Sequence, residues 1–160
     1  MRIYLIGLPG VGKSTVGKRL SKELQYKYVD LDLYIEKLMG KSIPEIFSEY
    51  GEDFFRELEK KALKDMLELD YVVVACGGGI IKDKTNKELM NGKVIYLTAP
   101  IEFISDRINN SKIDRPLMSK YTVKDLLMKR EELYHYFMDI EVMNIELNDT
   151  IKVIKESVGE

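Results

Sequence analysis

Apolar and polar positions along this chain follow two alternating rhythms. Ile3, Tyr4, Leu5 and Ile6 form a short unbroken apolar run, as expected of a strand buried on both faces. Val16, Leu20 and Leu24 then recur at helical spacing. Tyr28-Val29 predicts a second short strand that ends in Asp30-Leu31-Asp32. Helical segments are predicted at 33–39, 42–49 and 52–68, with Gly40 and Gly51 as natural stops. Tyr71 to Ala75 is the clearest strand, continuous and β-branched, and Gly77-Gly78-Gly79 closes it. Lys93 to Thr98 is a fourth strand, and Pro100 opens another helix. Residues 109–120 are polar without a period and read as a mobile loop. A helix over 122–138, a fifth strand near 141–147 and a final helix complete the pattern. Met128, Met138 and Met143 read as packing residues. Such alternation implies a parallel sheet with helices on both faces and a ligand site beyond the carboxyl ends of the strands.

Composition narrows this picture. At 160 residues the chain suits one domain, 1–160, without repeats or linkers. A formal net charge of −2 provides no overall basic field, so neither nucleic acid nor a membrane surface is an expected partner. No apolar stretch approaches the length of a membrane span. The first strand begins almost at once, which predicts no signal peptide and a cytoplasmic location. Cys76 is the single cysteine and reads as a small buried residue. His135, the only histidine, falls on a predicted helix and reads as structural.

Residues 7–14, Gly-Leu-Pro-Gly-Val-Gly-Lys-Ser, carry the most chemistry. The pattern G-x-x-x-x-G-K-[ST] between a strand and a helix is a phosphate-binding loop. Gly7, Gly10 and Gly12 let the backbone turn its N–H groups onto an anion, and the helix start adds its positive dipole end. Lys13 should reach the β- and γ-phosphates of a nucleoside triphosphate, and the Ser14 hydroxyl should ligate Mg²⁺.

Three further segments attract attention. Asp30 and Asp32, read as lying on an extended segment, would point to one side. One could orient a metal-bound water while the other holds an acceptor hydroxyl; the alternative is a solvated pair that caps the next helix. Three successive glycines at 77–79 suggest close approach of backbone to a ligand, with a plain turn as the alternative. Arg115-Pro116-Leu117 falls in the aperiodic loop, where a lid cation could neutralise a transferring phosphoryl group or simply be solvated. Arginine is scarce, six residues against nineteen lysines; Arg2 and Arg19 have surface readings, while Arg56, Arg107, Arg115 and Arg130 sit in the segments of interest.

Taken in order, these motifs resemble the shikimate kinases. Gly7 to Ser14, Asp30-Leu31-Asp32, Phe55-Arg56-Glu57-Leu58-Glu59, Gly77-Gly78-Gly79, Arg115-Pro116-Leu117 and Lys129-Arg130-Glu131-Glu132-Leu133-Tyr134 match that family's motifs over nearly the whole chain. The resemblance implies a three-layer α/β/α fold of the nucleoside-monophosphate-kinase type, with a five-stranded parallel sheet and a mobile lid at about 109–120. It also implies transfer of the γ-phosphoryl group of ATP to the 3-hydroxyl of shikimate, with Mg²⁺ as cofactor and a monomer as the working form. By the same resemblance ATP would be bound by Gly10, Val11, Gly12, Lys13, Ser14, Thr15, Arg107 and Arg115. Shikimate would be bound by Asp32, Arg56, Gly77, Gly78, Gly79 and Arg130, with the two arginines on its carboxylate. Lys13, Asp32 and Arg115 would be catalytic, and Ser14 and Asp30 would serve the metal. Cys76 stands where the family commonly has threonine or serine, and Asn148-Asp149 where several members have arginine. A gluconate kinase or nucleoside monophosphate kinase would share the loop and lid but not the triple glycine with two carboxylate-gripping arginines. A regulatory GTPase would need Asp-x-x-Gly and Asn-Lys-x-Asp, and neither occurs.

Overall fold

The computed structural model describes residues 1–109 and 122–160, apart from the side chains of residues 107–109. Five parallel strands form one sheet: β1 (Arg2–Ile6), β2 (Lys27–Asp30), β3 (Val72–Ala75), β4 (Lys93–Thr98) and β5 (Ile140–Met143), in the order β2-β3-β1-β4-β5. The central strands are the apolar runs. Ile3 to Ile6 and Val72 to Val74 are wholly buried, because helices cover both faces of the sheet. Among the described residues eight helices connect and flank the strands: α1 (Lys13–Leu24), α2 (Leu31–Met39), α3 (Ile43–Tyr50), α4 (Glu52–Met66), α5 (Asn86–Leu89), α6 (Ile101–Asn109), α7 (Val123–Phe137) and α8 (Leu147–Ser157). A 3₁₀ turn at Ile80–Lys82 follows the glycines. The fold is the expected α/β one. Among the described residues no helix is long and apolar enough to cross a membrane.

Helix boundaries follow local chemistry. Gly40 and Gly51 close α2 and α3 as the sequence predicts. Ser42 and Glu45 form a reciprocal capping box at the start of α3. The end of α4 is held by Arg2, whose guanidinium donates to Met66 O, Leu67 O and Leu69 O at 3.3, 2.7 and 2.8 Å, and to Asn91 O at 3.2 Å. Arg2 is therefore a helix-terminating residue and not the surface cation its position suggested; carbonyls left unpaired in a last turn are natural partners for a cation.

Three expectations need correction, and a fourth falls outside the described residues. The fifth strand ends at Met143 rather than 147, because the Glu146 carboxylate accepts from the N–H groups of Asn148 and Asp149 and starts α8 at Leu147. Asp32 lies in the first turn of α2, not on an extended segment, so the alternation argument for its direction fails. Met128 and Met143 are exposed, one on the solvent side of α7 and one on the edge strand β5; only Met138 packs against the core. The lid expected at 109–120, beyond the last residue of α6, lies outside the described residues, and with it Arg115; the Arg107 side chain does too.

Candidate active site

The carboxyl ends of β1, β2 and β3 open into a cleft of about 630 Å³. Lys13, Ser14, Asp30, Asp32, Arg56, Gly77, Gly78, Gly79 and Arg130 all line it. Residues spread over more than one hundred positions are thus gathered at the strand ends where a parallel sheet offers its binding crevice.

The phosphate-binding loop forms one wall. Gly7 has φ +149° and so little room that a Cβ there would stand 2.5 Å from Leu97 O. Gly12, at φ +102°, is the residue before α1. Lys13 Nζ donates to Gly7 O at 2.5 Å and to Leu8 O at 3.1 Å, which folds its ammonium back over the loop. Val11 is buried at 1% exposure, so its side chain belongs to the core and only its backbone can serve a ligand. Ser14 and Thr15 are exposed on the first turn of α1, and of the two only Ser14 lines the cleft.

Asp30 caps the next helix, the second of the two readings the sequence left open, and also meets Ser14. Its Oδ1 accepts from Leu33 N at 3.1 Å and caps α2, while Oδ2 takes the Ser14 hydroxyl at 3.4 Å. A serine hydroxyl beside a carboxylate is a hard-oxygen pair, and Mg²⁺ binds through one or two protein oxygens when phosphates and water supply the rest. The donor set therefore fits that ion. Among the described residues no cluster of three or more His, Cys, Asp or Glu residues exists that could hold a metal without such help.

Asp32 reaches the floor of the cleft from the first turn of α2. Its Oδ1 is buried without a hydrogen-bond partner. Burial pushes its carboxyl up to about 6; the nearby Asp30 charge adds to the rise, and Lys13 and Arg56 oppose it.

The triple glycine has a cause within the protein that the sequence did not show. None of the three has positive φ. What they provide is space for side chains of this same protein. A Cβ on Gly77 would stand 2.8 Å from Asp32 Oδ1 and 3.3 Å from Glu59 Oε2; one on Gly78 would stand 3.2 Å from Arg130 Nη1; one on Gly79 would stand 2.6 Å from Arg56 Nη2. The bare backbone lets two arginines and two acids converge on one turn.

Two residues in this arrangement escaped the sequence reading. Glu59, 1% exposed, takes Arg56 Nη1 at 2.6 Å, and its other oxygen, Oε2, is buried without a partner. Burial pushes its carboxyl up to about 7 against the opposing pull of Arg56. Tyr134, fully buried in α7, donates its hydroxyl to Gly78 O at 2.6 Å and fixes the middle of the glycine turn. Each stood in a quoted motif without a role. The available signal was position: Glu59 lies on the stripe Phe55, Glu59, Ala62, Leu63, Met66, and Arg130 on Val123, Leu126, Arg130, Tyr134, Phe137. A charge on the buried stripe of a helix needs a partner.

Outside this cluster the bland readings hold. Cys76 is buried, and burial raises its thiol well above the usual range. His135 is exposed and lies 2.9 Å from Glu141 Oε1.

Comparison with known proteins agrees with this geometry. A shikimate kinase family model matches residues 9–158. The shikimate kinase of Clostridium botulinum (strain Alaska E43 / Type E3) is 40% identical over 162 residues, covering 98% of this chain and 96% of that protein. The bifunctional shikimate kinase/3-dehydroquinate synthase of Thermotoga maritima is 40% identical over 164 residues; the match takes in all of this chain but 33% of that longer protein. Among solved structures, shikimate kinase from Acinetobacter baumannii in complex with shikimate superposes with a TM-score of 0.90 at 33% identity, covering 98% of this chain and 92% of that one. With its strand order, its phosphate-binding loop and these relatives taken together, the chain belongs to the shikimate kinase family.

Proposed function

We propose that this chain transfers the γ-phosphoryl group of ATP to the 3-hydroxyl of shikimate, giving shikimate 3-phosphate and ADP. One observation carries the reading: Arg56 and Arg130 converge on the glycine turn beside Asp32, in the same cleft that Lys13 and Ser14 enter from the phosphate-binding loop. A planar carboxylate with neighbouring hydroxyls fits that second half. Two guanidinium forks can hold the carboxylate by charge-assisted bonds worth about 1.5–3 kcal/mol each, and the Gly77–Gly79 backbone, which lines the same cleft, is the source proposed for further N–H donors. Asp32 then accepts the proton of the reacting hydroxyl or orients it.

At the other half, the N–H groups of Gly10, Val11 and Gly12 cradle the phosphates, and Thr15 extends that cradle into α1. Lys13 leaves its loop carbonyls for the phosphoryl oxygens. Ser14 and Asp30 would hold Mg²⁺, which would supply positive charge beside the phosphates when bound. Arg115 and Arg107 are assigned to the transferring group and to the nucleotide on sequence position alone. Transfer needs position and charge more than covalent help from the protein, which suits a site built of arginines, a lysine and two acids. A monomer acting in the cytoplasm completes this reading.

Release of ADP from Mg·ATP with shikimate, gluconate, a nucleoside monophosphate or no acceptor tests it. Stimulation by shikimate alone is expected; turnover with gluconate or a nucleoside monophosphate and none with shikimate would overturn it.

A further inference from the structure

Two buried polar side chains behind the phosphate-binding loop have no part in the reading above. Asn144 is 5% exposed and Thr150 2%, and buried amides persist where they are hydrogen-bonded. Asn144 Nδ2 donates to Val11 O at 2.9 Å. The Thr150 hydroxyl, in the first turn of α8, lies 2.9 Å from Asn144 Oδ1 and 3.0 Å from Glu146 O. A carbonyl only accepts, so the amide must present its NH₂ to Val11, which leaves Oδ1 to take the Thr150 proton. The Asn144 N–H donates to Thr98 O at 2.6 Å and pins the residue to the end of β4. Asn144 thus joins β4, α8 and the loop through one side chain and its own backbone.

The bond to Val11 also fixes Gly12. Val11 C=O and Gly12 N–H belong to one trans peptide and point in opposite directions. Holding the carbonyl toward the interior therefore turns the Gly12 N–H outward, away from Asn144. Gly12 at φ +102° follows this peptide and Gly10 at φ +84° lies just before Val11. Glycine on either side of Val11 leaves this stretch of backbone a wider choice of conformations than other residues would. We propose that Asn144, oriented by Thr150, is a positioning residue that locks the Val11–Gly12 peptide so that the Gly12 N–H faces the nucleotide phosphates. The inference rests on reading the loop as the ATP site.

Asn144→Asp is isosteric and sets an acceptor against the Val11 carbonyl. Titration calorimetry with Mg·ADP, and separately with shikimate, reads the result. The Kd for Mg·ADP should rise about tenfold or more, the scale of a buried polar group left facing its like. The Kd for shikimate should not move, and in turnover the KM for ATP should rise while that for shikimate stays. If Asn144→Asp does not fold, Thr150→Val and Thr150→Ser decide. Valine, which removes the orienting proton, should weaken Mg·ADP severalfold, and serine should restore it. A folded Asn144→Asp that binds Mg·ADP as tightly as the unaltered protein would overturn the proposal, as would equal losses for both ligands or a Thr150→Val without effect. Failure of the unaltered protein to bind Mg·ADP is a separate result: it removes the nucleotide reading, and this inference with it.

Discussion

Asp32 and Glu59 flank Gly77 with one unpartnered buried oxygen each, and both carboxyls are displaced upward, to about 6 and about 7. Their folded-state values lie above the unfolded ones, so the native state holds these protons more tightly than the unfolded chain. The resulting stabilisation is complete at about pH 4 and is lost as pH rises through about 6 to 7, at about 1.4 kcal/mol per unit of displacement. Urea denaturation of the ligand-free protein should show lower stability at pH 8 than at pH 5, and Asp32→Asn should flatten that slope. Activity should run the other way. Asp32 must be ionised to hold a hydroxyl proton, so kcat/KM for shikimate should fall on the acid side with an apparent pKa near 6; a level profile down to pH 5 would contradict the role given to Asp32. Gly79 offers a second test. Its φ of −97° suits alanine, yet a Cβ would stand 2.6 Å from Arg56 Nη2. Gly79→Ala should therefore displace the arginine and raise the Kd for shikimate about tenfold, while Mg·ADP binding is unchanged.

Among the elements, α4 and α7 do the most to build the cleft. Each presents a charged residue from a buried stripe, Glu59 with Arg56 on one and Arg130 on the other, and the glycine turn after β3 receives them. The position of α4 depends on Arg2, whose bonds to three carbonyls near its C-terminus tie the helix to β1. Arg2→Ala should cost about 2–3 kcal/mol of stability in chemical denaturation, with shikimate and nucleotide affinities little altered. These elements also show what the sequence could tell. The central strands were legible because burial on both faces leaves unbroken apolar runs, as at Val72 to Val74. The end of the edge strand β5 was not, because Glu141 and Met143 face solvent and the run gives way to the Glu146 cap without a sharp signal. Most of the residues at the cleft were legible through their spacing. Why they stand together was not. The need for glycine at 77–79 comes from Asp32, Pro9, Arg130 and Arg56, residues far away in the sequence, and no local pattern reveals such crowding.

Across the whole molecule, the parallel sheet holds two chemically different half-sites at the carboxyl ends of its strands. A loop of backbone donors with Lys13 and Ser14 faces a turn where two arginines and Asp32 meet. Transfer requires the two halves to act together, with an acceptor hydroxyl and not water taking the phosphoryl group. Phosphorus NMR of Mg·ATP incubated with shikimate and this protein tests that most directly. The prediction is a new phosphomonoester resonance, coupled to the proton at carbon 3 of shikimate and growing in step with ADP. ADP accompanied by inorganic phosphate alone, or no consumption of ATP, would contradict the account.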